Sequence, residues 1–467
     1  MRDWRSSAQF EAGCAPDLVA AASNGKVMMR RSSLLLLLAA FVAITATPFT
    51  ARAQIKMQII GPGSHLSPIA VSALKNLGGD DQHGVSSEFD SILSHDLELS
   101  GYFRLISPKA FIEDAQTSGY DLGQFNFADW RSINADFLVK GAVKIDGNQV
   151  QLTALLFDVA QQRRMMGKSF TGQLSEVPRM ARRFADALLK ATTGIEGPFD
   201  SRLAFVSTRG GRFKEIYLQS IDGHGLFRLT DNPTINLFPA FDRRGEVLYL
   251  SYKTMMPALY LANPATRREV RIVSTRGKMV GGAISPDGQL IVAAIEHAGA
   301  TNLFLLDRGG QELRRLTDTN GINVSPAFSS DGRMLAFTSD RSGTPQIYVM
   351  SVAGGGARRV TYKGNYNTTP AFSPDGKFIA YESRDGGHFD VWIVGVDGSD
   401  PINLTHGVGS NQYPAWSPDG RYIAFSSTRN GNSHIYLLQV ATQTVISALT
   451  EGNGNDSCPA WSWWLGD

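Results

Sequence analysis

Cysteine is almost absent from these 467 residues, with Cys14 and Cys458 the only two. Neither stands at a zinc-like spacing from histidine, and the eight histidines form no His-Glu-x-x-His pair. No Gly-x-Ser-x-Gly elbow is present, and the repeats described below leave no room for an α/β-hydrolase domain, which argues against a propeller-bearing serine peptidase. The run Glu451-Gly452-Asn453-Gly454-Asn455-Asp456 lacks the downstream bidentate glutamate of a calcium loop. The reading is therefore non-enzymatic, with no metal and no cofactor.

Long apolar runs are also missing. The longest, Leu34 to Ile44, has eleven residues, well short of the roughly 20 that a spanning helix needs. Preceded by Arg30-Arg31-Ser32-Ser33 and followed by Ala51-Arg52-Ala53, it has the order of a secretory signal peptide. Cleavage is expected after Ala53, so that residues 1–53 are a leader, the mature chain starts at Gln54, and the compartment is the periplasm. Translation from Met28 or Met29 instead of Met1 gives the same product. Without the leader the formal charge falls from +2 to −1, because six basic and three acidic side chains go with it. A near-neutral chain lacks the positive field of a nucleic-acid binder. The mature chain would keep Cys458 alone, which excludes an intramolecular disulfide.

What the sequence has is a repeat. Pro239-Ala240-Phe241, Gly282-Ala283-Ile284, Pro326-Ala327-Phe328, Pro370-Ala371-Phe372 and Pro414-Ala415-Trp416 each precede a glycine, and those glycines are spaced by 43, 44, 44 and 44 residues. A sixth copy, Pro459-Ala460-Trp461-Ser462, follows Pro414 by 45 residues. Within a unit come a short strand, a turn such as Ser373-Pro374-Asp375-Gly376, two apolar strands, and a fourth short stretch such as Ile402 to Thr405. Four strands at this period describe a propeller blade. Segments such as Tyr422-Ile423-Ala424-Phe425 are apolar on both faces, as blades stacked radially require.

Five units are complete. The terminal strand has no successor, while Leu203 to Ser207, Glu215 to Ser220 and Leu226 to Thr230 have no inner strand. Together they make a sixth blade closed by both chain ends, which leaves no open edge. An open solenoid would need polar capping units, and none is visible. The fold class is mainly β with α/β: a six-bladed β-propeller of four-stranded blades over 197–467, preceded by a small α/β domain.

That front domain, 68–196, carries no copy of the repeat. Val85 to Leu99 places Phe89, Ile92, Leu93 and Leu97 at helical spacing, and Val177 to Ala191 does the same with Met180, Phe184, Ala187 and Leu188. Ala135 to Ile145 and Gln149 to Asp158 flank the hairpin turn Asp146-Gly147. Ahead of it, 54–67 reads equally as a segment whose Gln54 to Ile60 is an edge strand or as a mobile partner-binding segment.

The order of signal peptide, α/β domain and six blades resembles the TolB family, periplasmic components of the Tol-Pal cell-envelope system. The blade motifs at 370–376 and 414–420, the Pro-Ala-Trp-Ser ending, Leu226 to Thr230 and Trp130 to Gly141 carry the likeness. Gly282, where the motif has proline, and a short mature N-terminal segment depart from it. The resemblance implies a scaffold that binds the lipoprotein Pal through one propeller face. It also implies contact with TolA through the N-terminal segment, including Gln54, Ile55, Lys56, Met57 and Gln58, and support of outer-membrane invagination and integrity during cell division.

Three residues before each motif proline stand Asn236, Asn323, Asn367, Asn411 and Asp456, with Met279 in the second repeat. Propeller topology brings these to one mouth of the central channel. They are either turn formers with purely local roles or a ring of amides that orients a polar loop of the partner. Lys278, Val280, Val324, Thr368, Gln412 and Ser457 are then neighbours in the same site. Polar loops such as Ser207-Thr208-Arg209-Gly210 and Ser339-Asp340-Arg341-Ser342-Gly343 belong to that face, as solvated tips or as a basic rim. The alternative function is a propeller of peptidase-like or glycan-binding type, the latter using Tyr366, Tyr413 and Trp461.

Overall fold

The computed structural model describes residues 66–272 and 277–465. Leader residues 1–53, the proposed cleavage after Ala53 and the segment Gln54 to Gln58 lie outside them. In the front domain β1 (Ser67–Val71), β2 (Lys75–Asn76), β3 (Phe103–Leu105), β4 (Phe137–Asp146), β5 (Gln149–Asp158) and β6 (Arg163–Gln173) form one sheet in the order β3-β1-β4-β5-β6, with β2 also on β4. β1 runs parallel to β3 and β4, whereas β4, β5 and β6 are antiparallel neighbours.

Helices α1 (Val85–Ser100) and α3 (Val177–Thr193) pack together on one face, Phe89 against Phe184 with ring centroids 6.1 Å apart. The expected apolar positions of α1 are those buried. Asp81 starts this helix, its carboxylate accepting the N–H groups of Val85 and Ser86 that no helical carbonyl can reach. The chain between β3 and β4 covers the other face with α2 (Phe127–Ser132), burying Trp130 and Phe157 around Lys140, whose ammonium is paired with Glu113 at 2.8 Å.

Six four-stranded sheets follow. Blade 1 takes its outer strands Arg202–Ser207, Glu215–Ser220 and Phe227–Arg228 from the start of the propeller and its inner strand, Asp456–Trp461, from the end. Asp456 pairs with Ser207 and Trp461 with Leu203, which closes the ring. Blades 2 to 6 begin at inner strands Asn236–Phe241, Lys278–Ile284, Asn323–Phe328, Asn367–Phe372 and Asn411–Trp416. The inner strands neighbour one another in sequence around the channel. Between blades the cores are shared: Ile216 and Leu218 of blade 1 pack with Tyr249 and Tyr260 of blade 2. This two-sided burial is why the strands lack alternation.

The turns after the inner strands of blades 3 to 6 use the predicted chemistry. Ser373 Oγ donates to Asp375 Oδ1 at 2.6 Å, that oxygen accepts the N–H of Lys377, and Gly376 adopts φ 70°. In blades 3 and 4 the equivalent serine hydroxyl holds the carboxyls of Asp287 and Asp331 below the ordinary range. Cys458 is disulfide-bonded. The other cysteine, Cys14, lies outside the described residues, so the expected lone thiol concerns only a chain cleaved after Ala53.

Candidate functional site

The two propeller faces differ in what covers them. Turns between first and second strands, and between third and fourth, lie toward the front domain. Tyr422 Oη donates to the Ser100 carbonyl at 2.7 Å, and Arg421 Nη2 donates to Thr193 Oγ1 at 2.8 Å and to the Ile195 carbonyl at 3.1 Å. The opposite face carries the loops entering the inner strands and the hairpins joining second to third strands. Among the described residues no part of the front domain reaches it.

On that face Asn236, Asn323, Asn367, Asn411 and Asp456 stand at equivalent positions, as the repeat predicts, but all five are fully buried. Asn236, Asn323, Asn367 and Asn411 do bond their own entry loops, donating to Asn232, Thr319, Lys363 and Val408, but their role is not purely local, since each side chain also bridges two blades. Asn236 Nδ2 donates to Glu215 Oε2 of blade 1 at 2.8 Å, Asn323 Nδ2 to Asn302 Oδ1 of blade 3 at 3.2 Å, and Asn367 Nδ2 to Gln346 Oε1 of blade 4 at 2.8 Å. Asn411 Nδ2 donates to Asp390 Oδ1 of blade 5 at 3.2 Å, and Asp456 Oδ2 lies 3.3 Å from His434 Nδ1 of blade 6. A threonine after the outermost strand joins in, as Thr361 Oγ1 donates to Gln346 Oε1 at 2.7 Å.

The oxygens of Asn236, Asn323 and Asn411 and one oxygen of Asp456 are engaged as well, whereas Asn367 Oδ1 is buried with no hydrogen-bond partner among the described residues. Ser251, Ser339 and Ser427 donate to Asn236, Asn323 and Asn411 at 2.7, 2.9 and 2.7 Å. Arg341 Nη2 and Arg429 Nη2 donate to Asn323 and Asn411, and Arg209 Nη2 to Asp456, at 2.8, 3.1 and 2.8 Å. Those guanidiniums also lie over aromatic pairs, Arg209 over Phe205 and Tyr217, Arg341 over Phe337 and Tyr348, Arg429 over Phe425 and Tyr436. The arginines expected as solvated tips or a basic rim therefore brace the blades.

One junction departs from this. Between blades 2 and 3 Met279 replaces asparagine and Ala258 replaces its polar partner, and both are buried, Met279 in the apolar core that also holds Leu250 and Leu259. An apolar contact stands where the other junctions have a hydrogen bond.

Two residues after each of these positions, every inner strand slips register. The residues there, Phe238, Gly281, Ser325, Thr369, Tyr413 and Cys458, all have positive φ. The remaining predicted positions differ in surroundings. Lys278 is exposed, 3.8 Å from Glu296. Val280, Val324, Gln412 and Ser457 are half-buried. Thr368 is buried and donates to Glu382 Oε1 at 2.6 Å. Glu382 also accepts the Tyr413 N–H at 3.1 Å, and burial pushes its carboxyl above the usual range. The aromatics weighed for glycan binding pack internally: Tyr366 meets Phe389 edge-on, Tyr413 is buried, and Trp461 Nε1 donates to Ser201 Oγ at 2.8 Å.

The repeat gave no sign of an apolar patch on blade 2 of the same face. Tyr252, Met255 and Met256 of its hairpin are 44%, 104% and 48% exposed, and Ile235, 40% exposed, accepts the Tyr252 N–H through its carbonyl. The available signal was compositional: the tip reads Tyr252-Lys253-Thr254-Met255-Met256 where blades 1 and 6 read Ser-Thr-Arg. Among the described residues no group of three His, Cys, Asp or Glu is placed to hold a metal ion, and no helix is long and apolar enough to cross a membrane.

Residues 55–165 match the family described as the TolB amino-terminal domain, and residues 189–412 match the TolB beta propeller domain. The Tol-Pal system protein TolB of Desulfosudis oleivorans is 37% identical over 279 residues, 59% of this chain and 63% of that protein. That of Syntrophotalea carbinolica is 39% identical over 207 residues, 44% of this chain and 47% of that protein. The chain thus spans between about half and just under two thirds of the length of these curated relatives. A crystal structure of TolB from Acinetobacter baumannii shares the fold, with a TM-score of 0.72, 24% identity, and coverage of 87% of this chain and 98% of that one.

Proposed function

Because the chain belongs to the TolB family, matched in its amino-terminal and propeller regions alike, we propose that this Tol-Pal component is a non-enzymatic scaffold binding the lipoprotein Pal on the propeller face turned away from the front domain. The observation that carries this is the exposed cluster of Ile235, Tyr252, Met255 and Met256 on that face. Large apolar side chains left in water by a folded domain mark contact surfaces, and aromatic residues and methionine are favoured in them. Lys278, Val280, Val324, Gln412 and Ser457 line the approach. The buried asparagines and Asp456 hold the blades in place beneath it. The exported chain resides in the periplasm after cleavage at Ala53, its segment Gln54 to Gln58 contacts TolA, and the assembly supports outer-membrane invagination and integrity during division.

Calorimetric titration of the full mature chain with soluble Pal tests this. Replacing Tyr252 by alanine together with Met255 and Met256 by serine is expected to weaken binding by tenfold or more, as loss of interface anchors does, without lowering the melting temperature. Unchanged affinity in that triple variant would remove the patch from the site.

A further inference from the structure

The contact between the front domain and the propeller buries one carboxylate more than it neutralises. Asp96 of α1 is fully buried, and neither of its carboxylate oxygens has a hydrogen-bond partner. The charged groups that face it are Arg182 and Asp186 of α3 and Asp222 of blade 1. Arg182 is already committed, its Nε and Nη2 donating to the buried Asp222 at 2.8 and 2.6 Å. Asp186 accepts the N–H groups of Phe199 and Asp200 at 2.8 and 2.9 Å, where the chain turns from one domain into the other.

Around them Arg179 pairs with Asp200 at 3.0 Å and donates to the Leu465 carbonyl, Arg202 lies close to both, and exposed His224 stands 3.4 Å from Asp222. Asp419 and Arg421 offset one another farther along. Four carboxylates, those of Asp96, Asp186, Asp200 and Asp222, thus share three guanidiniums. The one without a donor is Asp96. Burial raises its hold on a proton, and Asp222 and Asp186 add to that against the pull of Arg182.

We infer that this junction is a proton-operated clamp between the front domain and the propeller, closed while Asp96 is neutral and loosened when Asp96 ionises. An ionised Asp96 would be a buried charge facing two carboxylates and an arginine already spent on one of them. Water reaches the carboxylate only if the domains part. Closing then takes up a proton, so the closed population falls as pH rises from the ordinary carboxylate range toward Asp96's own folded value. The sign is opposite to that of a salt-bridged aspartate. The clamp lies on the propeller face opposite the partner site, so its readout does not depend on Pal.

Hydrogen exchange of residues 194–201 in the full chain, from pH 5 to pH 9 with each rate divided by the intrinsic chemical rate, tests the clamp. Wild-type protection is expected to fall by up to ~10-fold per pH unit, one proton being linked to opening. Asp96→Asn and Asp96→Leu, neutral at every pH, are expected to give flat profiles, and His224→Ala to keep the wild-type slope. A flat wild-type profile, a slope that survives in Asp96→Asn, or one that vanishes in His224→Ala would overturn the proposal. Failure of both neutral variants to fold would do so too, since a neutral side chain at 96 is what the closed clamp requires.

Discussion

A single side chain per junction decides how the blades meet. Asn323 donates through Nδ2 to the Thr301 carbonyl, Asn302 Oδ1 and Thr319 Oγ1, and accepts from Ser339 and Arg341. Truncation to alanine leaves those groups buried without their partner, at a cost of about 1–3 kcal/mol for the groups left unmade. Met279 tests the same logic from the other side. An amide placed there would enter the apolar core around Leu250 and Leu259, so Met279→Asn is expected to destabilise the fold by at least as much as Asn323→Ala, although it restores the residue found at four other junctions. Denaturant unfolding of both variants checks this, and a neutral Met279→Asn would mean that junction holds by something other than apolar packing. The asparagine positions were legible in the sequence because they recur, but their role was not. The partner of each sits about 21 residues earlier, in the preceding blade, and is glutamate, asparagine, glutamine, aspartate or histidine. No fixed motif marks a site that accepts any polar side chain of the right reach.

Among elements, those that repeat or keep strict periodicity could be read directly, and those held by tertiary contact could not. The inner strands, the Pro-Asp-Gly turns and helices α1 and α3 follow from local pattern. β6 was not anticipated: Arg163 to Gln173 carries three basic residues and two glycines and is largely exposed, and it is a strand because β5 offers a full-length edge to pair with. The chain between β3 and β4 has no period of its own and is fixed by packing on Trp130 and Lys140. The bulge in every inner strand was equally hidden, since its left-handed residue is phenylalanine, glycine, serine, threonine, tyrosine or cysteine by turns. Five side chains tolerate a conformation that costs a non-glycine residue ~1 kcal/mol or more, which shows the surrounding ladder imposing it. Ser325, at φ 51°, is the position to probe. Glycine there relieves the strain while adding freedom to the unfolded chain, so Ser325→Gly is expected to leave stability unchanged or raise it by up to about 1 kcal/mol in a denaturant titration. A loss larger than that would mean the serine side chain itself supports the bulge.

For the whole molecule the decisive contact joins residues more than 240 positions apart, Arg209 to Asp456. Blade 1 has no inner strand without the segment Asp456–Trp461. That segment and the residues after it also bring Trp461 Nε1 to Ser201 Oγ at 2.8 Å, Trp464 Nε1 to the Gly197 carbonyl at 2.6 Å, and the Leu465 N–H to the Asp200 carbonyl at 2.9 Å. Ending the chain at Asn455 removes all of these and exposes the edge of Arg202–Ser207 together with the flanks of blades 2 and 6. Truncating one fully buried tryptophan to alanine costs ~3–5 kcal/mol, and here the half-buried Trp461 and Trp464 go together with a whole inner strand, against a total stability of about 5–15 kcal/mol for a typical domain. The loss therefore approaches everything the fold has. The truncated chain is expected to show no cooperative melting transition by scanning calorimetry, and a synthetic peptide spanning 456–465, added in excess, to restore one. Cooperative melting of the truncated chain within about 5 °C of the full-length protein would show that the ring stands without its last strand, and that blade-to-blade packing, not closure, holds the propeller together.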